Sequence, residues 1–342
     1  MRYGHNVIMR VFLLFLALYY ILNAIVVDCS AVVSRLEKEL YDSIFKEQFH
    51  GGLFVEELKP VKNPVSILNG NAGTFVSGFM SNQVLFRPNV IDDNQRKIES
   101  KWTIFANGVY CNRAQNTYDT CAILDGPWGL AESEQKIFIG SFGSDQILVF
   151  ELSTRSFLGA FGDASTLDCP EGMVFGPDGL LYVANFGQNS VVKFNATTGE
   201  FLGVAASGPW LEGPEDLCFE SDGNLLVSSH FSNSIARFMP NGTFVGVAAR
   251  PNAPLGIECL STNSFMVSSY TQNEVVQFCS LSGKVLRVAA SGNGIRGPSG
   301  IDFRRDAIQG DILHVASYEN HRVLGFNVTE GSVWDAMRGV LR

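Results

Sequence analysis

One phrase recurs along the chain, and its spacing restricts what the chain can fold into. Tyr182-Val-Ala-Asn-Phe-Gly-Gln-Asn-Ser-Val-Val-Lys-Phe194 has cognates beginning at Phe138, Leu226, Met266 and His314. The starts differ by 44 (138 to 182), 44 (182 to 226), 40 (226 to 266) and 48 (266 to 314). A fainter copy, Phe75-Val-Ser-Gly-Phe-Met-Ser-Asn-Gln-Val-Leu-Phe-Arg87, begins 63 residues before Phe138. Self-similarity at a period near 44 is the signature of a repeat architecture, in which each unit buries its apolar face only against its neighbours.

The unit from Cys169 to Glu212 reads most clearly. Pro170–Phe175 is a short apolar segment, and Gly176-Pro-Asp-Gly179 is a turn of proline-fixed and glycine-permissive positions. Leu180–Ala184 is a second segment, Phe186–Asn189 reverses the chain, Ser190–Phe194 is a third, and Glu200–Ala205 a fourth. Four short strands per period, joined by Gly, Asn and Asp turns, predict a propeller blade. Pro127-Trp-Gly-Leu, Pro214-Glu-Asp-Leu, Pro254-Leu-Gly-Ile and Pro298-Ser-Gly-Ile repeat the opening of the unit. A sandwich would not require one strand order and one set of turn residues five times over. The long spacing of 63 is ascribed to an insertion at about 106–125, and the spacing of 48 to Arg304–Gly310.

The fold class expected is therefore all-β: a six-bladed propeller of four-stranded antiparallel blades over residues 60–342, preceded by an N-terminal hydrophobic segment. Residues 32–59 form a lead-in, with an amphipathic helix at 35–41 and an extra strand at 53–58 that would complete the last blade. Pro-x-Gly-(Ile/Met/Leu), Gly-Pro-Asp-Gly-x-Leu-Tyr-Val-Ala and Asn-x-Val-x-x-Phe together resemble the NHL-repeat propellers and the related six-bladed superfamily. That superfamily holds the senescence-marker/gluconolactonase proteins, streptogramin lyase and the peptide-amidating lyase. The resemblance implies the architecture; one fold hosts many activities. The catalytic sets of those enzymes are not reproduced: His230 and Glu215, for instance, fall in one repeat, whereas streptogramin lyase places its histidine and glutamate on neighbouring blades.

The N-terminus is different in kind. Arg2, His5 and Arg10 precede the apolar run Val11–Val27, and Cys29-Ser-Ala31 offers small residues for cleavage. Residues 1–31 read as a secretory signal peptide, or as a signal anchor if the run is retained; a membrane association depends on that retention. Either way the propeller would be secreted or face a secretory lumen. Asn195-Ala-Thr197, Asn241-Gly-Thr243 and Asn327-Val-Thr329 match the glycosylation acceptor pattern in corresponding turns of three repeats. Cys111 and Cys121 are the disulfide candidates, while Cys218 and Cys259 read as buried thiols in inner strands. A net charge of −9 excludes a nucleic-acid partner, which requires a basic face.

In a propeller the loops entering the inner strands share one face with the loops after the second strands. The first set reads Val65, Trp128, Glu171, Glu215, Leu255 and Ser299; the second reads Phe79, Phe142, Phe186, His230, Tyr270 and Tyr318. The rings are either the wall of a pocket for an apolar or sugar-like ligand or wedges between blades. Glu171 and Glu215 break the repetition on adjacent blades. With Asn185, and Asn189 nearby, they offer oxygen ligands for a divalent cation, and His230 offers a base. Two functions follow: a binding module taking a protein or small-molecule ligand at this face, or a metal-dependent hydrolase or lyase acting on a small lactone, ester or sugar-acid-like substrate.

Overall fold

The computed structural model describes residues 62–89, 101–110, 122–260, 263–305 and 311–328, and the backbone alone of residues 53–56, 90–91, 97–98, 111 and 121. The signal segment, the helix expected over 35–41 and Cys29 lie outside the described residues. The rest is all-β, built as six four-stranded antiparallel sheets with three-residue 3₁₀ turns between some strands.

The third blade shows how sequence becomes wedge. Its strands are Pro170–Phe175, Leu181–Asn185, Ser190–Asn195 and Glu200–Ser207, ordered from the axis outward. The second strand is buried along its whole length because a blade is covered on both faces. Its side chains alternate: Leu181 and Val183 pack toward blade 2, Tyr182 and Ala184 toward blade 4. The same alternation round the ring produces six apolar clusters, one at each seam between neighbouring blades. The inner strands Pro64–Asn69, Pro127–Ser133, Pro170–Phe175, Pro214–Phe219, Pro254–Leu260 and Pro298–Arg304 stand side by side, the sixth returning to the first.

The ring is closed by the N-terminal side of the chain. Leu53–Glu56 pairs antiparallel with Arg322–Asn327 and supplies the outer strand of blade 6. The insertion differs from expectation. Ala106 belongs to the outer strand of blade 1, Thr103–Asn107, and the added length is divided between two small hairpins. One is Val90–Ile91 with Lys97–Ile98, before that strand; the other is Val109–Cys111 with Cys121–Ile123, after it. The second hairpin sets Cys111 opposite Cys121 in register; the side chains of that candidate pair lie outside the described residues.

Cys218 and Cys259 are not thiols: they form a disulfide between the inner strands of blades 4 and 5, with Cα atoms 5.6 Å apart. The reason is register. The fifth residue of one inner strand faces the sixth of the next, and two cysteines placed so meet the separation a disulfide requires. Asp302 and Asn69 meet in the same relation across the seam between blades 6 and 1. Asn195 and Asn327 end their strands and Asn241 lies in the corresponding turn; Asn241 and Asn327 are exposed and Asn195 half-buried.

Candidate binding site at the channel mouth

Two rings of repeated residues fasten the blades at the mouth. Before each inner-strand proline stands a residue with positive φ: Asn63, Gly126, Cys169, Gly213, Ala253 and Gly297, between 43° and 63°. After each second strand a turn ends in another such residue: Asn82, Asp145, Asn189, Asn233, Asn273 and His321. Each of the latter accepts, through its side chain, the backbone N–H of the former on the next blade. The bonds run from Gly126 to Asn82 (2.8 Å), Cys169 to Asp145 (2.8 Å), Gly213 to Asn189 (2.7 Å), Ala253 to Asn233 (2.7 Å), Gly297 to Asn273 (2.8 Å) and Asn63 to His321 Nδ1 (3.1 Å). Asn and Asp recur here because they tolerate the left-handed conformation while presenting a short acceptor. Asn189 is thus a clasp rather than a free oxygen donor. His321 closes the ring from blade 6 to blade 1.

The aromatic collar lies beside the clasps. Phe79 packs edge-on to Phe142 at 5.5 Å between centroids, Phe142 approaches Phe186 at 6.4 Å, and Tyr270 approaches Tyr318 at 6.4 Å. Trp128 sits against both Phe79 and Phe142, at 5.2 and 5.7 Å. All six second-strand rings are half-buried. They act as inter-blade wedges that keep an accessible edge at the mouth.

The inner strands surround a cavity of about 330 Å³, lined by Trp128, Glu215, Asp216, Glu258 and Asp302 among apolar residues, glycines and the serines Ser66 and Ser299, with no Lys or Arg among the described lining residues. At the third position of four inner strands a glycine is required: a Cβ on Gly129 would stand 1.9 Å from the carbonyl oxygen of Glu171, and Gly172, Gly256 and Gly300 are similarly crowded. Blade 4 puts Asp216 at this position, its oxygens accepting the N–H groups of Leu217 (2.9 Å) and Ile257 (3.1 Å). A second position is divided evenly round the ring. Ser77, Ser228 and Ser268 donate to the carbonyls of Trp128, Leu255 and Ser299 on the following blade. The other three blades carry Gly140, Ala184 and Ala316 there, without a hydroxyl.

The structure brings Glu171 and Glu215 together. They are only 2% and 7% exposed, and their carboxyls lie within hydrogen-bonding reach of each other. No backbone N–H or hydroxyl among the described residues reaches Glu171 Oε2 or Glu215 Oε2. Two carboxyls so placed can bond only if one holds a proton. Burial first, and then the Glu215 charge, pushes Glu171 well above the usual carboxylate range. Burial, with Asp216 adding to it, pushes Glu215 up to about 7. Burial raises Asp216 to about 7 as well.

His230 joins this pair. Its Nδ1 is 3.8 Å from Glu215 Oε1 and has no hydrogen-bond partner. Burial lowers its pKa, and the Pro254 backbone acts in the opposite direction. Asn185 is placed otherwise. Its Oδ1 accepts the N–H of Asp168 at 2.7 Å and its amide donates to Thr166 and Gln188, which commits it to the loop that enters Pro170. Further in, burial raises Glu258 and Asp302, and each Asp302 oxygen accepts a bond from Asn69, at 2.9 and 2.7 Å. These two acids escaped sequence reading although they stand 44 apart (258 to 302), the interval that marked Glu171 and Glu215. Among the described residues, the acid and thiol group whose ligand atoms come within 4.8 Å of one another is Asp145, Asp168 and Cys169. There burial and the Asp168 carboxylate push the Cys169 thiol up to about 11, which opposes the thiolate a metal needs.

No family model matches the chain, and no curated protein is found similar to it in sequence. Solved structures are similar in fold. A streptogramin B lyase superposes with a TM-score of 0.56 at 15% identity, over 81% of this chain and 98% of that one. A virginiamycin B lyase from Staphylococcus aureus gives 0.54 at 13%, over 81% and 99%. A nidogen/laminin complex gives 0.53 at 14%, over 67% of this chain and 80% of that one. At such identities the likeness is one of fold, that of a β-propeller.

Proposed function

We propose that the chain is an NHL-like propeller of the extracellular space or a secretory lumen, acting as a binding module for a small-molecule or protein ligand at the channel mouth. One observation carries the reading. Around a ring in which clasps and aromatics are spent on joining blades, the pattern breaks at Glu171, Glu215, Asp216 and His230, beside a cavity of about 330 Å³ that Trp128, Glu215 and Asp216 line among apolar residues. Ligand pockets combine apolar walls with a few convergent polar groups in this way. The placement is supported by the sequons at Asn195, Asn241 and Asn327, by the Cys218–Cys259 disulfide and by the apolar run Val11–Val27. The similar structures include both a lyase and a protein complex, so the fold itself favours neither binding nor catalysis.

The test is a thermal-shift screen of the mature protein, collected from the medium of secreting cells, against small metabolites and extracellular protein fragments. Hits are expected to lose their shift in Trp128→Ala and Glu215→Gln and to be recovered chemically unchanged. A hit that is consumed, with turnover dependent on added divalent cation and lost in Glu171→Gln, would replace the binding module by the metal-dependent hydrolase or lyase. Retention of the protein inside the cell in reduced form would remove the placement.

A further inference from the structure

We infer that the mouth face docks on a second copy of this chain, the two propellers meeting mouth to mouth about a two-fold axis. This names a partner for the binding module above and rests on that reading. The loops that lead from the outer strand of one blade to the inner strand of the next run over this end. Among the described residues, the charges in the loops entering blades 2, 3 and 4 are Asp125, Asp163, Asp168 and Glu212; in those entering blades 5, 6 and 1 they are Arg250, Arg296 and Lys62. Asp168 is half-buried and the other six are exposed. Backbone bonds fix their place: the carbonyls of Asp125, Asp168, Glu212 and Arg296 accept the N–H groups of Gly143, Gly187, Phe231 and Glu319 in the mouth turns, at 2.9, 2.9, 3.0 and 3.2 Å. Those turns add Asp145 to the acidic half and Glu319, beside Arg296, to the basic half. Among the described residues none of the seven loop charges is in an ion pair.

A charge map split in this way complements itself. In a two-fold contact residue i of one copy meets residue j of the other, and j meets i. Consider an axis lying across the mouth, through the seams between blades 1 and 2 and between blades 4 and 5. It sets blade 1 against blade 2, blade 6 against blade 3 and blade 5 against blade 4 of the other copy. Lys62 then faces Asp125, Arg296 faces Asp168, and Arg250 faces Glu212, each pair occurring twice. A six-bladed ring allows six such axes, and each of the other five sets at least one acidic loop against an acidic loop. A basic ligand would use the acidic half alone. With a net charge of −9, it would leave the three bases gathered on the opposite half without a purpose.

Apolar exposure follows the same face. Met80 and Phe231 are 63% and 58% exposed in the mouth turns of blades 1 and 4, and Ile123 and Trp210 are exposed in the loops entering blades 2 and 4. The same axis brings Met80 to blade 2 of the second copy, where Ile123 lies beside the turn and Gly143 adds no side chain. Phe231 and Trp210 meet blade 5, where Pro251 and Thr271 stand. Exposed apolar side chains rimmed by charge have the composition of a protein interface. Asn195, Asn241 and Asn327 lie at the other end of the blades, after the third strands, so glycans there leave the mouth uncovered.

The experiment is analytical ultracentrifugation of the mature protein over about 1–100 μM, at about 50 mM salt and again at about 0.5 M. A monomer–dimer equilibrium is expected, weakened at least about tenfold by the added salt. Glu212→Arg and Arg250→Glu should each weaken the dimer at least about tenfold, since either sets two like-charged contacts in the interface. Circular dichroism should show both variants folded, which separates a docking defect from unfolding. An equimolar mixture of the two should dimerise as the wild type does, because each supplies the charge that the other lacks. A local effect within one chain would not be repaired by mixing. A monomer throughout, a dimer indifferent to salt and to both variants, or a mixture that stays monomeric would each overturn the assignment. So would a monomer that takes a different protein fragment on this face, with a thermal shift lost in Glu212→Arg. If the chain is monomeric while a ligand still loses its thermal shift in Trp128→Ala, the second copy falls and the binding module stands. If it is monomeric and no ligand responds to Trp128→Ala, both fall.

Discussion

The clasp ring and the Glu171–Glu215 arc share one end of the propeller and obey opposite rules. Every clasp pairs a left-handed turn residue with the N–H of the next blade, and the chemistry hardly varies over six seams. In the arc, blades 3 and 4 carry acids at the mouth position, and blade 4 puts Asp216 where four other blades have glycine. Repetition marks what every seam needs to hold, because equivalent blades face equivalent mechanical demands. Loss of repetition at buried, charged positions has no such cause, since an unpaired buried carboxyl costs stability. The clasps can therefore be altered for a modest loss of stability with the site intact, and the arc can be neutralised with stability kept or raised.

The largest effect is expected away from both, where the channel wall is cross-linked. Cys218→Ser with Cys259→Ser removes a bridge across 41 residues of sequence, and by loop-closure reasoning the cost is about 3–4 kcal/mol. The melting temperature should fall by roughly 10 °C, and a reducing agent should bring the wild type down to the double mutant. If the mutant melts with the oxidised wild type, the blade 4–5 seam does not depend on the bridge.

Next comes the pH dependence of the arc. Glu171, Glu215 and Asp216 have native pKa values above their unfolded ones, so the folded protein holds protons that the unfolded chain releases. Their contribution to stability is complete below the unfolded carboxylate range and is lost as pH rises through about 7 for Glu215 and Asp216. Calorimetry of the ligand-free protein should show the melting temperature falling by roughly 5 °C from pH 5 to pH 8. Glu171→Gln should flatten part of that slope; Glu258 and Asp302, raised in the same direction, keep the remainder. Stability that rises over this interval would mean that the arc is ionised and paired.

What could be read from the sequence follows the same division. The blade strands were legible because their turns repeat: Gly176-Pro-Asp-Gly179 and Glu220-Ser-Asp-Gly223 predict hairpins with a mechanism. Glu171 and Glu215 were legible as neighbours because their interval equals one blade. The clasps were not, because each joins a side chain on one blade to an amide on the next. Asn189 alone looked like a spare donor, and nothing local set His321 beside Asn63. The disulfide was hidden for a related reason: Cys218 and Cys259 occupy different positions of their strands, and only the stagger between adjacent inner strands makes them meet. Glu258 and Asp302 carried the one-blade interval and could have been found by it.

A single clasp tests the ring. Asn233→Gly keeps the left-handed turn and removes the acceptor for the Ala253 N–H, so its cost isolates one bond, about 1–2 kcal/mol or roughly 4 °C. Asn233→Ala adds the strain of a Cβ at φ 50° and should melt lower still. Ligand binding at the mouth should be unchanged in both. A mutant that keeps its stability but loses binding would move Asn233 from the ring to the site.

The smallest effect is expected at the closing seam, where the ring departs from its own rule. His321 holds φ 60° and accepts the Asn63 N–H through Nδ1 at 3.1 Å, a longer bond than the other five. Asn63 also donates its amide to the Tyr318 carbonyl at 3.2 Å, so this seam has a second tie. His321→Asn restores the residue found at four of the other turns, where left-handed backbone costs less. A gain of a few tenths of a kcal/mol follows, about 1 °C in melting temperature, with slower hydrogen exchange at the Asn63 amide. A loss larger than that of Asn233→Gly would show that the seam relies on the imidazole itself, and that ring closure is a specialised contact rather than a sixth copy of the clasp.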